Sequence, residues 1–197
     1  MRCFFLLVSL VSLAAAAAHP KVDPNVYDPY TKKGFPKAYA KWGDAGFNRL
    51  NALRIKAAEK VAGNPKCDRV DVAELSDTKS APPSTLIVFV DCANGERFYV
   101  SEQEVGGPLQ SQTEKGKQWS AGAVLTACTE GVKKKLNFPG TMDKKWFTSN
   151  VRQAPTTGNW VAEFDFTAKN AFGAELPAKA RCIVEPDGKL EVTVISQ

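Results

Sequence analysis

Apolar positions along this chain follow two periods, and the places where one gives way to the other mark out its elements. Phe47, Leu50, Leu53, Ala57 and Val61 recur at steps of three and four, the signature of one helix face. Asp44 suits the helix start, while Gly63 and Pro65 suit its stop; Ile55 falls off the stripe. The period then shortens to two. Val70 and Val72 alternate with Arg69 and Asp71 across Cys67–Leu75, which predicts a half-buried strand. Two further runs, Leu86–Asp91 and Arg97–Ser101, flank Asn94-Gly95, a pair that accepts the positive φ of a tight hairpin.

The same plan returns further along the chain. Ala121, Val124, Cys128 and Val132 form a second helical stripe that ends in Lys133–Lys135, where cations suit the carbonyl end of the helix dipole. Trp160, Ala162, Phe164 and Phe166 alternate with Val161, Glu163, Asp165 and Thr167. Ala180, Cys182 and Val184 alternate in the next strand, and Pro186-Asp187-Gly188 turns the chain into Leu190, Val192 and Val194. The expected class is α+β, a helix on a small antiparallel sheet, with the plan occurring twice. The second half is compatible with a cystatin-like helix laid across a strand meander.

A third pattern lies at the start. Arg2, the apolar stretch Phe4–Leu13 and the small residues Ala16-Ala17-Ala18 before His19 have the layout of a secretory signal peptide. Cys3–Ala18 holds 16 residues, short of the roughly 20 that a membrane-spanning helix needs. The expected organisation is a signal peptide over 1–18 and an extended arm over 19–36. A helix-plus-hairpin half over 37–105, a linker over 106–118 and a helix-plus-meander half over 119–197 follow.

Export changes how the cysteines are read. Cys3 leaves with the signal, so Cys67, Cys92, Cys128 and Cys182 remain, an even set for an oxidising compartment. Three pairings exist. Cys67–Cys92 and Cys128–Cys182 are favoured because each clamps one half, and each loop closure is worth about 3–4 kcal/mol. A four-cysteine zinc site would need close ligand pairs, and no two of these cysteines lie nearer than 25 positions.

Composition is that of an ordinary globular protein, with 44% hydrophobic and 24% charged residues. A net charge of +5, one less without Arg2, is too mild for a nucleic-acid binder, and none is expected as a partner. Local charge is more suggestive. Arg49, Lys56 and Lys60 share one side of the first helix and Lys41 just precedes it, a candidate basic surface for an anionic polymer, lipid headgroup or acidic protein, although an ordinary solvated helix face is the simpler explanation. Lys133–Lys135 with Lys144-Lys145 is a weaker second patch. Trp42, Trp119, Trp146 and Trp160 read as core or interface rather than as a sugar-stacking platform.

Candidate chemistry is sparse. His19 is the only histidine, so a Ser-His or Cys-His site has no internal base. No G-x-S-x-G, H-E-x-x-H, C-x-x-C or Gly-rich phosphate loop occurs. Glu163 and Asp165 share a strand face and are the carboxylates to test for glycan hydrolysis, although a solvated strand face explains them as well. His19 at a freed N-terminus is a candidate copper or nickel ligand, but no metal and no cofactor is expected to be required.

Several segments carry a resemblance. The helix from Ala121, Leu136-Asn137-Phe138-Pro139, Asn170-Ala171-Phe172-Gly173 and Arg181-Cys182-Ile183-Val184 resemble a domain of uncharacterised exported proteobacterial proteins. There a cysteine-bearing helix precedes an L-x-x-P segment, an Asn-Ser/Ala-Phe-Gly turn and a cysteine-bearing strand. Phe89–Ser101, with Cys67-Asp68, is similar to segments of related proteins. The resemblance implies a bacterial envelope setting and carries no activity, so no active residue follows from it. Asn170 and Gly173 are expected to form a turn, with Phe172 plugging the core.

The function expected is therefore that of a non-enzymatic, disulfide-stabilised binding or structural protein, periplasmic or secreted. Its partner would be an envelope or secreted protein, in the manner of an inhibitor or immunity protein. Two alternatives stand beside it: a carboxylate-dependent hydrolase of envelope glycans, and an anionic lipid or polymer binder using the basic helix.

Overall fold

The computed structural model describes residues 18–196. The signal peptide expected over 1–18 lies, but for Ala18, outside them, and no described helix is long and apolar enough to cross a membrane. The fold is α+β, built as two helix-on-sheet units in series.

In the first unit, helix α1 (Pro36–Ala62) packs on an antiparallel sheet of β1 (Val70–Leu75), β2 (Ile87–Cys92) and β3 (Arg97–Ser101), in that order. Phe47, Leu50, Leu53, Ala57 and Val61 are buried, as their spacing requires. Ile55 is only half-buried. The helix starts eight residues before Asp44, with Pro36 in its first turn. Gly43, at φ 61°, interrupts it, and Asp44 accepts from the Tyr39 hydroxyl at 2.8 Å instead of opening the helix. Gly43 alone could take that φ without strain. At the other end the helix stops at Ala62, just before Gly63.

The predicted alternation of β1 holds for one residue only. Between Val70 and Val72 the pairing with β2 shifts by a bulge, so Val70, Ala73 and Leu75 are buried while Val72 is only half so. An inserted residue turns the pleat over, which a strict count of two cannot anticipate. Asn94-Gly95 makes the β2–β3 turn, with Gly95 at φ 85°. Asn94 is tied down there, its N–H donating to Asp68 and its side-chain amide to the Lys66 carbonyl.

Residues 19–36 pack onto this unit. Val22 bridges Val70 in parallel, and Val22, Val26 and Tyr30 are buried. Tyr30 stacks on Phe35 at 3.8 Å, and the buried guanidinium of Arg54 lies 4.6 Å over its ring. Arg54 donates to the carbonyls of Ala73, Asp28 and Val26, so one side chain sews arm, helix and sheet together.

The second unit sets α3 (Ala121–Lys133) across β6 (Trp160–Lys169), β7 (Glu175–Val184) and β8 (Leu190–Ser196). Two short strands, β4 (Asp143–Lys144) and β5 (Asn150–Gln153), share the outer edge of β6. Val124, Cys128 and Val132 of the helix meet Ala162, Phe164, Phe166, Ala180, Cys182 and Val184 of the sheet, while Ala121 at the helix start is exposed. The two cores are separate. Each holds one disulfide: Cys67–Cys92 with Cα atoms 5.5 Å apart, and Cys128–Cys182 at 5.6 Å.

Residues 106–118 contain a further helix, α2 (Gln112–Gly116), docked on both units. Ser111 caps it and Glu114 returns the bond in a capping box. On one side Asn64 donates to the Leu109 carbonyl and Thr113 to Glu96. On the other, Trp160 donates to the Gly116 carbonyl at 2.8 Å and Gln153 to that of Thr113.

Candidate binding site

The residues singled out from the sequence do not gather into one site. Arg49 turns away from the basic surface: its guanidinium grips Glu102 at 3.0 and 2.5 Å and donates to the carbonyls of Pro83 and Ser84. Glu102 is held below the ordinary carboxylate range by that guanidinium. Lys56 and Lys60 remain exposed, while Lys41 lies across the Gly43 break, which removes its helical phase relation to them. The second patch is divided as well. Lys133 pairs with Glu130, Lys145 with Asp143, and Lys135 donates to the Val192 carbonyl.

Glu163 lies between Arg152 at 3.5 Å and Arg181 at 3.6 Å, a cross-strand charge ladder. Asp165 is beside it on β6, with one carboxylate oxygen buried and without a hydrogen bond. Neither lines the cleft described below.

Asn170 and Gly173 form the β6–β7 turn. The Asn170 carboxamide oxygen accepts from the N–H groups of Phe172 and Ala174, and Gly173 takes φ 82°. Phe172 does not plug the core; it is 95% exposed at the tip. A turn closed on its own backbone points its middle side chain outward, so the pattern Asn-x-Phe-Gly fixes where Phe172 is aimed without burying it. The tryptophans divide likewise: Trp42 is buried, Trp119 and Trp160 partly so, and Trp146 is 69% exposed with Lys144 3.6 Å from its ring.

Two surfaces stand out instead. One is an apolar end of the second unit. Beyond the end of α3, Leu136, Phe166, Ala168, Leu176, Ala178 and Val194 line a shallow groove of about 180 Å³. Phe138 and Phe172 sit on the adjoining loops, and Trp146 and Phe147 on the connection from β4 to β5. Seven of the eight large exposed apolar side chains among the described residues belong to this unit. Patches of this kind mark interaction sites more often than idle surface.

The other is a cleft between the units. Adjoining cavities of about 590 and 350 Å³ share Lys79, Tyr99, Gln112 and Asp187. Lys79 reaches across from the β1–β2 loop to Glu185 at 3.2 Å and Asp187 at 3.4 Å, with the Tyr99 ring 5.1 Å from its ammonium. Burial opposes the charge on Lys79, but the two carboxylates outweigh it and hold the pKa above the ordinary lysine value. Burial likewise opposes the Asp187 charge, and the Lys189 N–H and Lys79 overcome it, leaving that carboxyl below its usual range. Glu104, Glu114 and Glu191 line the cleft too, opposed by Lys115 and Lys189.

A general acid needs a carboxyl displaced upward. The carboxyls clearly displaced here, Asp68, Glu102 and Asp187, are all displaced downward. Among the described residues no three His, Cys, Asp or Glu side chains converge on a metal position. Comparisons with protein-family models, with curated proteins and with solved structures give no match.

Two features escaped the sequence reading. Ser111-x-x-Glu114 is a capping box, and its spacing alone would have placed a helix start inside the expected linker. The apolar end had no such signal, because its residues come from four separated segments.

Proposed function

We propose that the chain is a non-enzymatic recognition protein, exported and stapled by two disulfides, that binds a protein partner of the envelope or secreted space through the apolar end of its second unit. The observation that carries this is Phe172, 95% exposed yet aimed by a turn that Asn170 and Gly173 hold rigid. An aromatic ring presented on an ordered hairpin loses little entropy on binding and makes an effective interface anchor. Leu176 and Phe138 add exposed apolar area at the same end of the unit. The disulfides support an oxidising compartment, and the segments that resemble exported proteobacterial proteins support an envelope setting.

A photo-crosslinking residue placed at Phe172 or Leu176, and at Lys56 as a control, tests this in the chain's own envelope fraction. The expected result is one discrete adduct from Phe172 and Leu176, absent at Lys56 and lost when Phe138→Ser is added. Equal labelling at all three positions would remove the proposal. So would turnover of a hydrolase substrate abolished by one carboxylate substitution.

A further inference from the structure

We infer that the cleft between the two units is a second binding site, built for a lysine-bearing polypeptide segment, and that Lys79 occupies its ammonium position as a tethered internal ligand. This goes beyond the recognition face just described and shares no residue with it.

Three observations combine. The first is the cage itself. Two carboxylate oxygens at 3.2 and 3.4 Å and an aromatic ring at 5.1 Å surround one ammonium, the donor set that recognises alkylammonium groups. Single contacts from two separate carboxylates suit a compact point charge better than the planar fork of arginine.

The second is Gln112. Only 5% of it is exposed, it lines both cavities, and its amide makes no hydrogen bond to any described protein group. The small exposed part of the residue is this amide, which is not sealed from solvent and opens on the cleft with its hydrogen-bonding edges free for a ligand. A carboxamide carries one carbonyl and one N–H edge in the same geometry as a peptide group, so a segment of main chain running through the cleft can satisfy both. The capping box of Ser111 and Glu114 and the close packing of the Gln112 carbonyl against Gly158 hold this residue in place.

The third is charge. The protein carries net positive charge, yet five carboxylates line the cleft against three lysines. With Lys79 withdrawn the excess grows, and a cationic side chain is drawn in. Lys79 is free to withdraw. It stands on the loop between β1 and β2, anchored by its own backbone N–H to Ser76, so only its side chain needs to rotate. A tethered competitor lowers the apparent affinity for a free ligand by the fraction of time that it fills the site.

The test uses the blocked peptide acetyl-Ala-Lys-Ala-amide, with norleucine replacing lysine as the control, titrated into the full mature chain by NMR. On the wild type, the lysine peptide should shift the Gln112 side-chain amide and Tyr99 ring resonances at millimolar concentration, and the control should not. Lys79→Met should bind the lysine peptide at least tenfold more tightly. Adding Glu185→Gln and Asp187→Asn to that variant should abolish the gain, and Gln112→Ala should weaken binding severalfold with the charges unchanged. No gain in Lys79→Met, or equal binding of the control peptide, would overturn the inference. If that variant loses its native amide dispersion, the wild-type titration decides, and unshifted Gln112 and Tyr99 resonances reject the site. Every arm leaves Phe172 untouched, so this site and the recognition face can fail separately.

Discussion

The two units share a plan and differ in proportion. Helix α1 has 27 residues, about 40 Å if straight, over strands of five or six residues spanning roughly 20 Å. Helix α3 has 13 residues, about 20 Å, over strands β6 and β7 of ten residues spanning roughly 33 Å. In the first unit the helix outreaches the sheet and the N-terminal arm covers what remains, so Val70, Ala73, Val88, Val90, Phe98 and Val100 are all buried. In the second the sheet outreaches the helix, and Leu176 and Val194 are left on the uncovered end of the same face. Equal local rules thus yield one closed core and one with an open end. The ratio of helix length to strand length decides which.

The bridges offer the largest effect with which to challenge that contrast. Cys128→Ala with Cys182→Ala should cost about 3–4 kcal/mol. Because the cores are separate, the loss should appear in the fluorescence of Trp119 and Trp160 during urea unfolding and leave the Trp42 transition in place. A single shared transition for all the tryptophans would show that the units fold as one.

Next comes Arg54→Met, which keeps the bulk but leaves the carbonyls of Ala73, Asp28 and Val26 without their donor. A loss of about 2–3 kcal/mol is expected in the first unit, with faster hydrogen exchange over residues 22–30. Unchanged exchange there would mean that apolar contacts alone hold the arm.

The Lys79 latch joining the units should depend on pH with a worked sign. Asp187 is displaced downward, so its contribution is complete above the ordinary carboxylate pKa of about 4 and is lost as pH falls through its lower folded value. Lys79 is displaced upward, so its contribution is complete below about 10.4 and is lost as pH rises through its higher folded value. Partial exposure of both groups limits the effect to about 1 kcal/mol. The spacing between the two unfolding transitions should therefore stay constant from about pH 5 to 9 and change outside that window.

Smallest in stability is Phe172→Ser with Leu176→Ser, which should shift unfolding by less than about 0.5 kcal/mol while reducing retention on a hydrophobic column. The matching change in the closed unit, Phe98→Ser, should unfold it, because that ring is fully buried.

How much of this was readable in advance depended on the distance between partners in the chain. The stripe Phe47–Val61, the hairpin at Asn94-Gly95 and the turn at Pro186-Asp187-Gly188 rest on neighbours a few residues apart, and they lie where the pattern placed them. The early start of α1 and the bulge in β1 were hidden, since each turns on a single residue leaving the regular period. The candidate surfaces were hidden for a stronger reason. Arg49 reads as a free cation until Glu102, 53 positions away, is folded against it, and Lys79 gives no hint of Asp187, 108 positions away.

Composition and periodicity were enough to determine an α+β chain with two helix-on-sheet units and one bridge in each, because helix faces, strand faces and turns are set by short-range sterics and solvent. Tertiary structure alone decided that α3 is too short for its sheet, that Phe172 points outward, and that Gln112 is buried beside an ammonium cage between the units. Those outcomes depend on which distant surfaces meet and how far each one reaches, and no local period carries that information.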